Sequence, residues 1–252
     1  MLSKNKIKYI NSLKIKKFRK KEKFFIVEGI KLINEILNSS FSVESLFSIN
    51  FEKIDVKKIE LSRLKKIQEK DLKKITSLKN HQKALAIVKI PEFNINENEI
   101  KNNLSLIIDN VQDAGNFGTI IRIADWFGIK NIICSENTVD LYNPKVIQAT
   151  MGSITRVKIF YENLELFLKN FFSKDFNIYG TFLDGKNIYK KKLDKKGFII
   201  IGNEGKGISK ELYKFITKKI SIPSFSDKKV ESLNVSVATA IICSEFFRIL
   251  KL

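Results

Sequence analysis

The sequence predicts an α/β protein: a mostly parallel sheet with helices on both faces over residues 104–252, preceded by a small α/β domain over residues 1–95. Three observations carry this. Short apolar runs alternate with helix-period segments, the pattern of βα units. The stretch Pro91 to Asn103, PEFNINENEIKNN, is polar and aperiodic and marks an interdomain linker, placed at residues 96–103. The apolar run Phe198 to Ile201 then meets Gly202-Asn203-Glu204-Gly205-Lys206-Gly207, a buried strand that stops at a glycine-dense turn. Ligands of open α/β sheets bind beyond strand ends of this kind.

The front domain opens with residues 1–23, which carry ten basic residues and one acidic one, Glu22. Ile7, Ile10, Leu13 and Phe18 recur at helical spacing, so a basic amphipathic helix is expected with these four inward. Its exposed face would offer Lys14, Lys16, Lys17, Arg19, Lys20 and Lys21 to RNA phosphates; a merely solvated face is the bland alternative. Phe24 to Val27 reads as a strand, Glu28-Gly29 as a turn and Ile30 to Leu37 as a helix. Residues 43–49 and 55–60 read as strands, 62–80 as a helix, and Ala84 to Val88 as the last strand of the domain. His81, the only histidine, has no ligand-like neighbours and is read as structural.

In the second domain, Leu104 to Ile108 reads as a strand ending at Asp109. Phe117 to Phe127 reads as a helix capped by Asn116 and closed by Gly128. Strands follow at Ile129 to Cys134, Val157 to Phe160 and Ile178 to Leu183. Helices are expected from Pro144, which suits a first helical position, and over residues 163–172. After the glycine turn come a short helix near 208–216, a strand over Lys219 to Ile222, and a helix from Leu233 to Leu250. That last helix is apolar nearly all round, which requires cover on several sides. Either the domain core or a dimer interface would supply it, and the interface is the favoured reading.

Composition narrows the function. The 252 residues carry 46 basic and 27 acidic side chains, a net charge of +19, with 23 basic and 12 acidic among the first 100. Such a field favours a polyanionic partner, above all nucleic acid. Only two cysteines occur, Cys134 and Cys243, far apart and in apolar surroundings. They suggest packing in a reduced, cytoplasmic protein. No apolar run is long enough to span a bilayer, and no signal-peptide core follows the basic start.

Familiar site chemistries fail. Gly202 and Gly207 have Walker spacing, but Ile208 stands where a lysine is required. There is no metal-ligand spacing, no nucleophile elbow, and one histidine leaves little room for a Ser-His-Asp site. Three segments remain: Asn116-Phe117-Gly118-Thr119 with Arg122; Gly202 to Gly207; and Ile222-Pro223 followed by Glu231-Ser232-Leu233-Asn234-Val235-Ser236. In this order and combination they resemble the SpoU/TrmH-type RNA 2′-O-ribose methyltransferases of the SPOUT superfamily. Residues 7–37 resemble that family's N-terminal substrate-binding domain. Ala114 stands where a proline is common, and Ser224 where a methionine is common.

The resemblance implies a trefoil-knotted sheet, S-adenosylmethionine as cofactor, no metal, and a homodimer built on the C-terminal helix. It implies a catalytic group of Arg122, Asn116, Glu204, Ser232 and Asn234. In it Arg122 acts on the ribose hydroxyl, Asn116 orients Arg122 or the ribose, and Glu204 binds a donor group or offsets the charge of Arg122. It implies a cofactor pocket of Thr181, Leu183, Gly202, Asn203, Ile222 and Leu233. Against these stand plain structural roles: Asn116 and Ser232 as helix caps, Asn234 in the first turn, and Arg122 on the surface. The substrate expected is ribosomal RNA; transfer RNA methylation and a catalytically silent RNA-binding or ribosome-assembly factor are the rivals.

Overall fold

The computed structural model describes residues 2–78, 82–173, 175–226 and 232–248. His81, Glu231 and residues 249–250, on which some of the expectations above rest, lie outside the described residues. Two units emerge: Met1–Glu92 together with Asp140–Thr155, and Phe93–Val139 together with Arg156–Leu252.

In the first unit the basic N-terminus forms two helices, α1 (Lys4–Ser12) and α2 (Lys16–Glu22). Ser3 caps α1 by accepting from the Lys6 N–H at 3.2 Å. A single continuous helix was expected; the break comes at Ile15, whose extended backbone starts α2. The strands are β1 (Phe24–Glu28), β2 (Val43–Ser48), β3 (Leu64–Lys66) and β4 (Ala84–Lys89). They form a sheet of order β1-β4-β2-β3, antiparallel except for the β2–β3 pair. Helices α3 (Ile30–Leu37) and α4 (Glu69–Ile75) pack with it. Gly29 sits at φ +97, a conformation that an L side chain rarely adopts, and admits the chain to α3.

Two expectations in this unit are corrected. Residues 55–60 are not a strand but hold a 3-10 turn, Val56–Lys58. Residues 62–80 are not one helix; a 3-10 turn and β3 precede α4. Both stretches have lysines clustered against few apolar residues, too little period to hold one regular element. Ile10 and Leu13 are fully buried with Ile26, Phe47, Leu72, Ile75, Leu85 and Ile87. Phe18 is not: it remains 37% exposed.

Residues 140–155 belong with this unit, although they lie between strands of the other. Here α7 (Pro144–Thr150) packs on β1, and the Tyr142 ring lies 4.7 Å from that of Phe25. Arg19 completes the attachment. Its Nε donates to Asp140 Oδ2 at 3.1 Å, its Nη2 contacts the same oxygen, and its Nη1 donates to the Leu13 carbonyl at 2.9 Å. At 3% exposure Arg19 is not a phosphate contact, which corrects the expectation placed on it.

The second unit holds a fully parallel sheet of order β10-β8-β9-β5-β6-β7. Its strands are β5 (Leu104–Ile108), β6 (Asn131–Ser135), β7 (Lys158–Glu162), β8 (Ile178–Asn187), β9 (Gly197–Ile201) and β10 (Lys218–Ser221). The segment expected as a linker contains α5 (Glu97–Asn102), capped by Asn96 and anchored by fully buried Ile100. With α8 (Leu164–Phe171) it covers one face, where Phe167, Phe171 and Phe198 meet Ile107, Ile133 and Ile178. Tyr179, the next residue after Ile178, points the other way. Its ring meets Phe246 of α9 (Val235–Arg248) edge-on at 4.8 Å, and α9 packs with α6 (Ala114–Trp126). Cys134 and Cys243 are both buried, and burial pushes the Cys243 thiol up to about 12.

Helix α9 is not covered all round. Val235, Thr239, Ile242, Cys243 and Phe246 are buried, while Val237 is 49% exposed and Ala240, Ile241 and Ser244 share its side. No helix among the described residues is long and apolar enough to cross a membrane.

The Arg19–Asp140 pair yields a stability prediction. Arg19→Ala strands the Asp140 carboxylate and the Leu13 carbonyl in a largely buried setting, so urea unfolding should show a loss on the order of 3 kcal/mol. A change below about 0.5 kcal/mol would place the pair among screened surface contacts instead.

Candidate functional site

The C-terminal ends of β5 and β9 lie side by side, the Asp109 N–H donating to the Ile201 carbonyl at 2.9 Å. Beyond β9 the glycine turn closes on itself. Asn203 and Gly207 exchange backbone hydrogen bonds of 2.9 and 3.0 Å. Asn203 Oδ1 accepts from the N–H groups of Gly205 and Lys206, both at 3.0 Å, and its Nδ2 donates to the Asn110 carbonyl at 2.7 Å. Asn203 is therefore the organiser of this loop, and its side chain is already engaged without any ligand. Gly202 is required by the same closure: a Cβ there would fall 2.3 Å from the Gly207 carbonyl carbon and 2.4 Å from the Ile208 nitrogen. Close approach at Gly202 is of the loop to itself.

A second anchor holds the far side of the turn. Asp109 Oδ2 accepts from the Ser209 N–H at 2.7 Å, and Asn110 Nδ2 donates to Asp109 Oδ1 at 2.8 Å. Asn110 stands at φ 58, in the left-handed region that Asn tolerates better than most residues. The sequence reading missed Asp109, Asn110 and Ser209. The signal available was the Asp-Asn pair at a strand end, a common turn-forming combination.

Helix α6 starts three residues earlier than expected. Asp113, not Asn116, is its cap: Asp113 Oδ1 accepts from the Asn116 N–H at 2.7 Å. The side chain of Asn116 is thereby free for other partners. Its Nδ2 donates to Glu204 Oε1 at 3.1 Å, and its Oδ1 accepts from Asn234 Nδ2 at 3.0 Å. Asn234 in turn caps α9, accepting at Oδ1 from the Ser236 N–H at 2.9 Å and from the Ser236 hydroxyl at 2.7 Å. The alternative in which Ser232 caps this helix, with Asn234 inside its first turn, does not hold; the structure puts Asn234 at the cap. One hydrogen-bonded chain, Ser236–Asn234–Asn116–Glu204, thus joins all three motif segments.

The second oxygen of Glu204 lies 3.4 Å from Asn203 Nδ2, and among the described residues no ion pair joins it to Arg122. Arg122 is exposed and lines a groove of about 670 Å³ between α6 and α9, with Trp126, Tyr189, Ile241 and Glu245. Ser232 is exposed, and no hydrogen bond joins it to the chain among the described residues.

The expected cofactor residues separate by character. Thr181 Oγ1 donates to the Ile200 carbonyl at 2.9 Å, fastening β8 to β9 beside the turn. Leu183 is 80% exposed and Leu233 48%, while Ile222 and Pro223 are half-buried. Among the described residues, these two leucines present apolar surface to the outside. Next to them β10 crosses β8 closely: a Cβ on Gly185 would sit 2.4 Å from the Ile220 carbonyl carbon, and Ser221 Oγ donates to the Gly185 carbonyl at 2.8 Å.

The loop closure is open to test. Gly202→Ala forces the Cβ into backbone on two sides, and overpacking of this kind costs about 1–3 kcal/mol. Thermal unfolding should show that loss, whereas Gly205→Ala, whose Cβ meets nothing nearer than 3.8 Å, should leave stability unchanged. Equal melting of the two variants would contradict the self-closure.

Comparison with known proteins adds to this geometry. The SpoU rRNA Methylase family model matches residues 103–244, and the MRM3-like substrate binding domain matches residues 4–86. The 23S rRNA (guanosine(2553)-2′-O)-methyltransferase RlmP of Bacillus subtilis is 29% identical over 238 residues, covering 94% of each chain. A solved structure from Porphyromonas gingivalis, described as of the TrmH family of RNA methyltransferases, superposes with TM-score 0.88 at 36% identity, covering 98% of both chains. The AdoMet-bound rRNA methyltransferase of Sinorhizobium meliloti superposes with TM-score 0.86 at 28% identity, covering 99% of this chain and 97% of that one. With all three motif segments in one hydrogen-bonded cluster and the family match spanning more than half of its length, this chain belongs to the SpoU rRNA methylase family.

Proposed function

We propose that this protein methylates a ribose 2′-hydroxyl of RNA, with S-adenosylmethionine as donor and ribosomal RNA as substrate. The observation that carries the reading is the Asn234–Asn116–Glu204 chain, which gathers the three family motifs at the strand ends. The likeness to RlmP supports ribosomal RNA and a cytoplasmic site of action.

The residues present fit the cofactor. An adenosine moiety needs apolar cover and backbone partners; Leu183, Leu233 and Ile222 offer the first, and the turns at Gly202, Ile222 and Leu233 the second. Thr181 acts behind this wall by tying β8 to β9. When bound, S-adenosylmethionine supplies a methyl group already activated on a sulfonium. The protein's task is then to hold the ribose hydroxyl within ~3–3.5 Å of the reacting carbon and to ease the loss of its proton.

Arg122 is the residue assigned to the RNA side. A guanidinium keeps its proton at any ordinary pH and is a poor proton acceptor. Its role is to pin a phosphate beside the target ribose and to stabilise the emerging alkoxide. Being exposed and outside the hydrogen-bonded chain, Arg122 is available for that contact. Asn116 and Glu204 brace each other, so Glu204 presents a fixed acceptor to a ribose or base donor. Ser232, exposed near Asn234, is placed to contact the ligand as well.

We further infer a homodimer through α6 and α9. The groove beside Arg122 is lined by Ile123, Trp126 (85% exposed), Tyr189, Ala240 and Ile241, and an uncovered apolar strip of this kind suits a second copy. The knotted threading expected for the family rests on the family match. In the first unit, Lys16, Lys17, Lys20 and Lys21 are exposed and form the RNA-facing set. Lys14 contributes less, since its Nζ donates to the Thr76 carbonyl at 2.8 Å and burial lowers its pKa.

Two measurements test these assignments. Arg122→Ala should abolish methyl transfer to RNA while calorimetry still records cofactor binding; loss of cofactor binding in a folded variant would overturn the role of Arg122, and a wild type that binds no cofactor would favour a silent RNA-binding factor. Replacing Lys16, Lys17, Lys20 and Lys21 by Gln should weaken RNA binding and flatten its log–log salt dependence by about 0.7 for each single-strand phosphate no longer neutralised. An unchanged slope would remove α2 from the RNA footprint.

A further inference from the structure

Helix α2 carries more than charge. Its inward side is taken by Arg19, held by Asp140 and the Leu13 carbonyl. Lys16, Lys20, Lys17 and Lys21 occupy the outer arc at 100° per residue. Phe18 follows Lys21 round the helix and is 37% exposed, and Ile15, the extended residue before the helix, is 55% exposed. Residues three and four apart on a helix are neighbours, so Phe18 lies between Lys21 and Glu22, while Ile15 precedes the helix in an extended conformation. Among the described residues, neither Phe18 nor Ile15 is a member of the buried cluster around Ile10 and Leu13. Among the described residues no ring or cation is paired with Phe18. A partly exposed aromatic ring next to Lys17 and Lys21, on a helix that also exposes Lys16 and Lys20, combines the stacking face and the charge of a nucleic-acid platform.

We propose that α2 holds an unpaired nucleotide of the substrate RNA: the lysines take the flanking phosphates, Phe18 stacks on the base, and Ile15 covers its edge. This rests on the RNA reading above and narrows it to a substrate class. A base stacked within a duplex offers no free face, so an RNA with a loop or bulge is required. Lysines alone would bind duplex and loop alike through phosphate charge. The ring is what discriminates. The helix is about 10 Å long at 1.5 Å per residue, enough for one or two nucleotides. A lipid surface is the other polyanion a basic, partly apolar helix could meet, but interfacial helices rely on a long apolar face, and α2 exposes a single apolar side chain, Phe18.

The test uses the full chain and two labelled RNAs with equal numbers of phosphates, a hairpin with an unpaired loop and a blunt duplex. Wild-type protein should bind the hairpin more tightly by anisotropy titration. Phe18→Ala should weaken hairpin binding by about 5- to 150-fold, the range for one stacked base. It should leave duplex binding and the salt slope unchanged. Phe18→Leu keeps the apolar bulk and guards against misfolding; it should lose the same preference, while Phe18→Trp should retain it. Wild-type-like hairpin binding by a folded Phe18→Leu, or equal losses on hairpin and duplex, would overturn the stacking role. So would a Phe18 dependence seen only on phosphatidylserine vesicles. The four-lysine variant separates the two levels. A flattened salt slope with no Phe18 effect rejects the stacking platform and upholds the RNA reading, whereas no binding of either RNA by the wild type rejects both.

Discussion

The hydrogen bond from Asn116 Nδ2 to Glu204 Oε1 links segments 88 residues apart, and the bond from Asn234 to Asn116 spans 118. Neutral amides and one carboxylate make these contacts, so each donor faces one acceptor and the chain has a single direction. It requires α6, the loop after β9 and the start of α9 to arrive at one place. Each arrival has its own local cause. Asp113 caps α6 and releases the Asn116 side chain. Asn203 and Gly202 close the turn that presents Glu204. Asn234 caps α9 with one end of its amide and reaches Asn116 with the other.

The parallel sheet makes that meeting possible. Parallel strands end on the same side, so β5, β8 and β9 deliver their following loops to one rim. Backbone groups that would otherwise be orphaned there are taken by side chains: Asp109 receives the Ser209 N–H, and Asn203 receives those of Gly205 and Lys206. The rim is thus rigid where it is polar and uncovered where it is apolar, at Leu183 and Leu233. Such a surface suits a ligand that is part aromatic ring and part charged chain.

The first unit divides its cations by direction. Arg19 points inward and, through Asp140, fastens residues 140–155 to this unit, while its neighbours on α2 point outward. A guanidinium suits the first task because its fork satisfies a carboxylate and a carbonyl together. Lysines suit the second, since a flexible point charge follows a phosphate backbone without demanding one geometry. Five of these cations lie within six residues, yet they serve different ends because a helix turns by 100° at each step.

Much was legible in the chain itself. Apolar periodicity placed nearly every strand of the second unit, because four- to six-residue apolar runs between turn signals have few other uses. The three motif segments contain Asn116, Glu204 and Asn234, which meet at the rim, while Arg122 and Ser232 stand apart from them. What sequence could not supply was direction and partner. Asn116 as cap or as side-chain donor differ by three residues in where α6 begins, settled by Asp113. Phe18 shares the spacing of Ile7, Ile10 and Leu13, but the break at Ile15 restarts the helix and turns Phe18 outward. The helix at Glu97–Asn102 hides in a polar stretch because a single buried residue, Ile100, anchors it. Residue types and their order determined the family and the chemistry on offer; only long-range packing decided which donor reaches which acceptor, because contacts across about a hundred residues leave no period in the sequence.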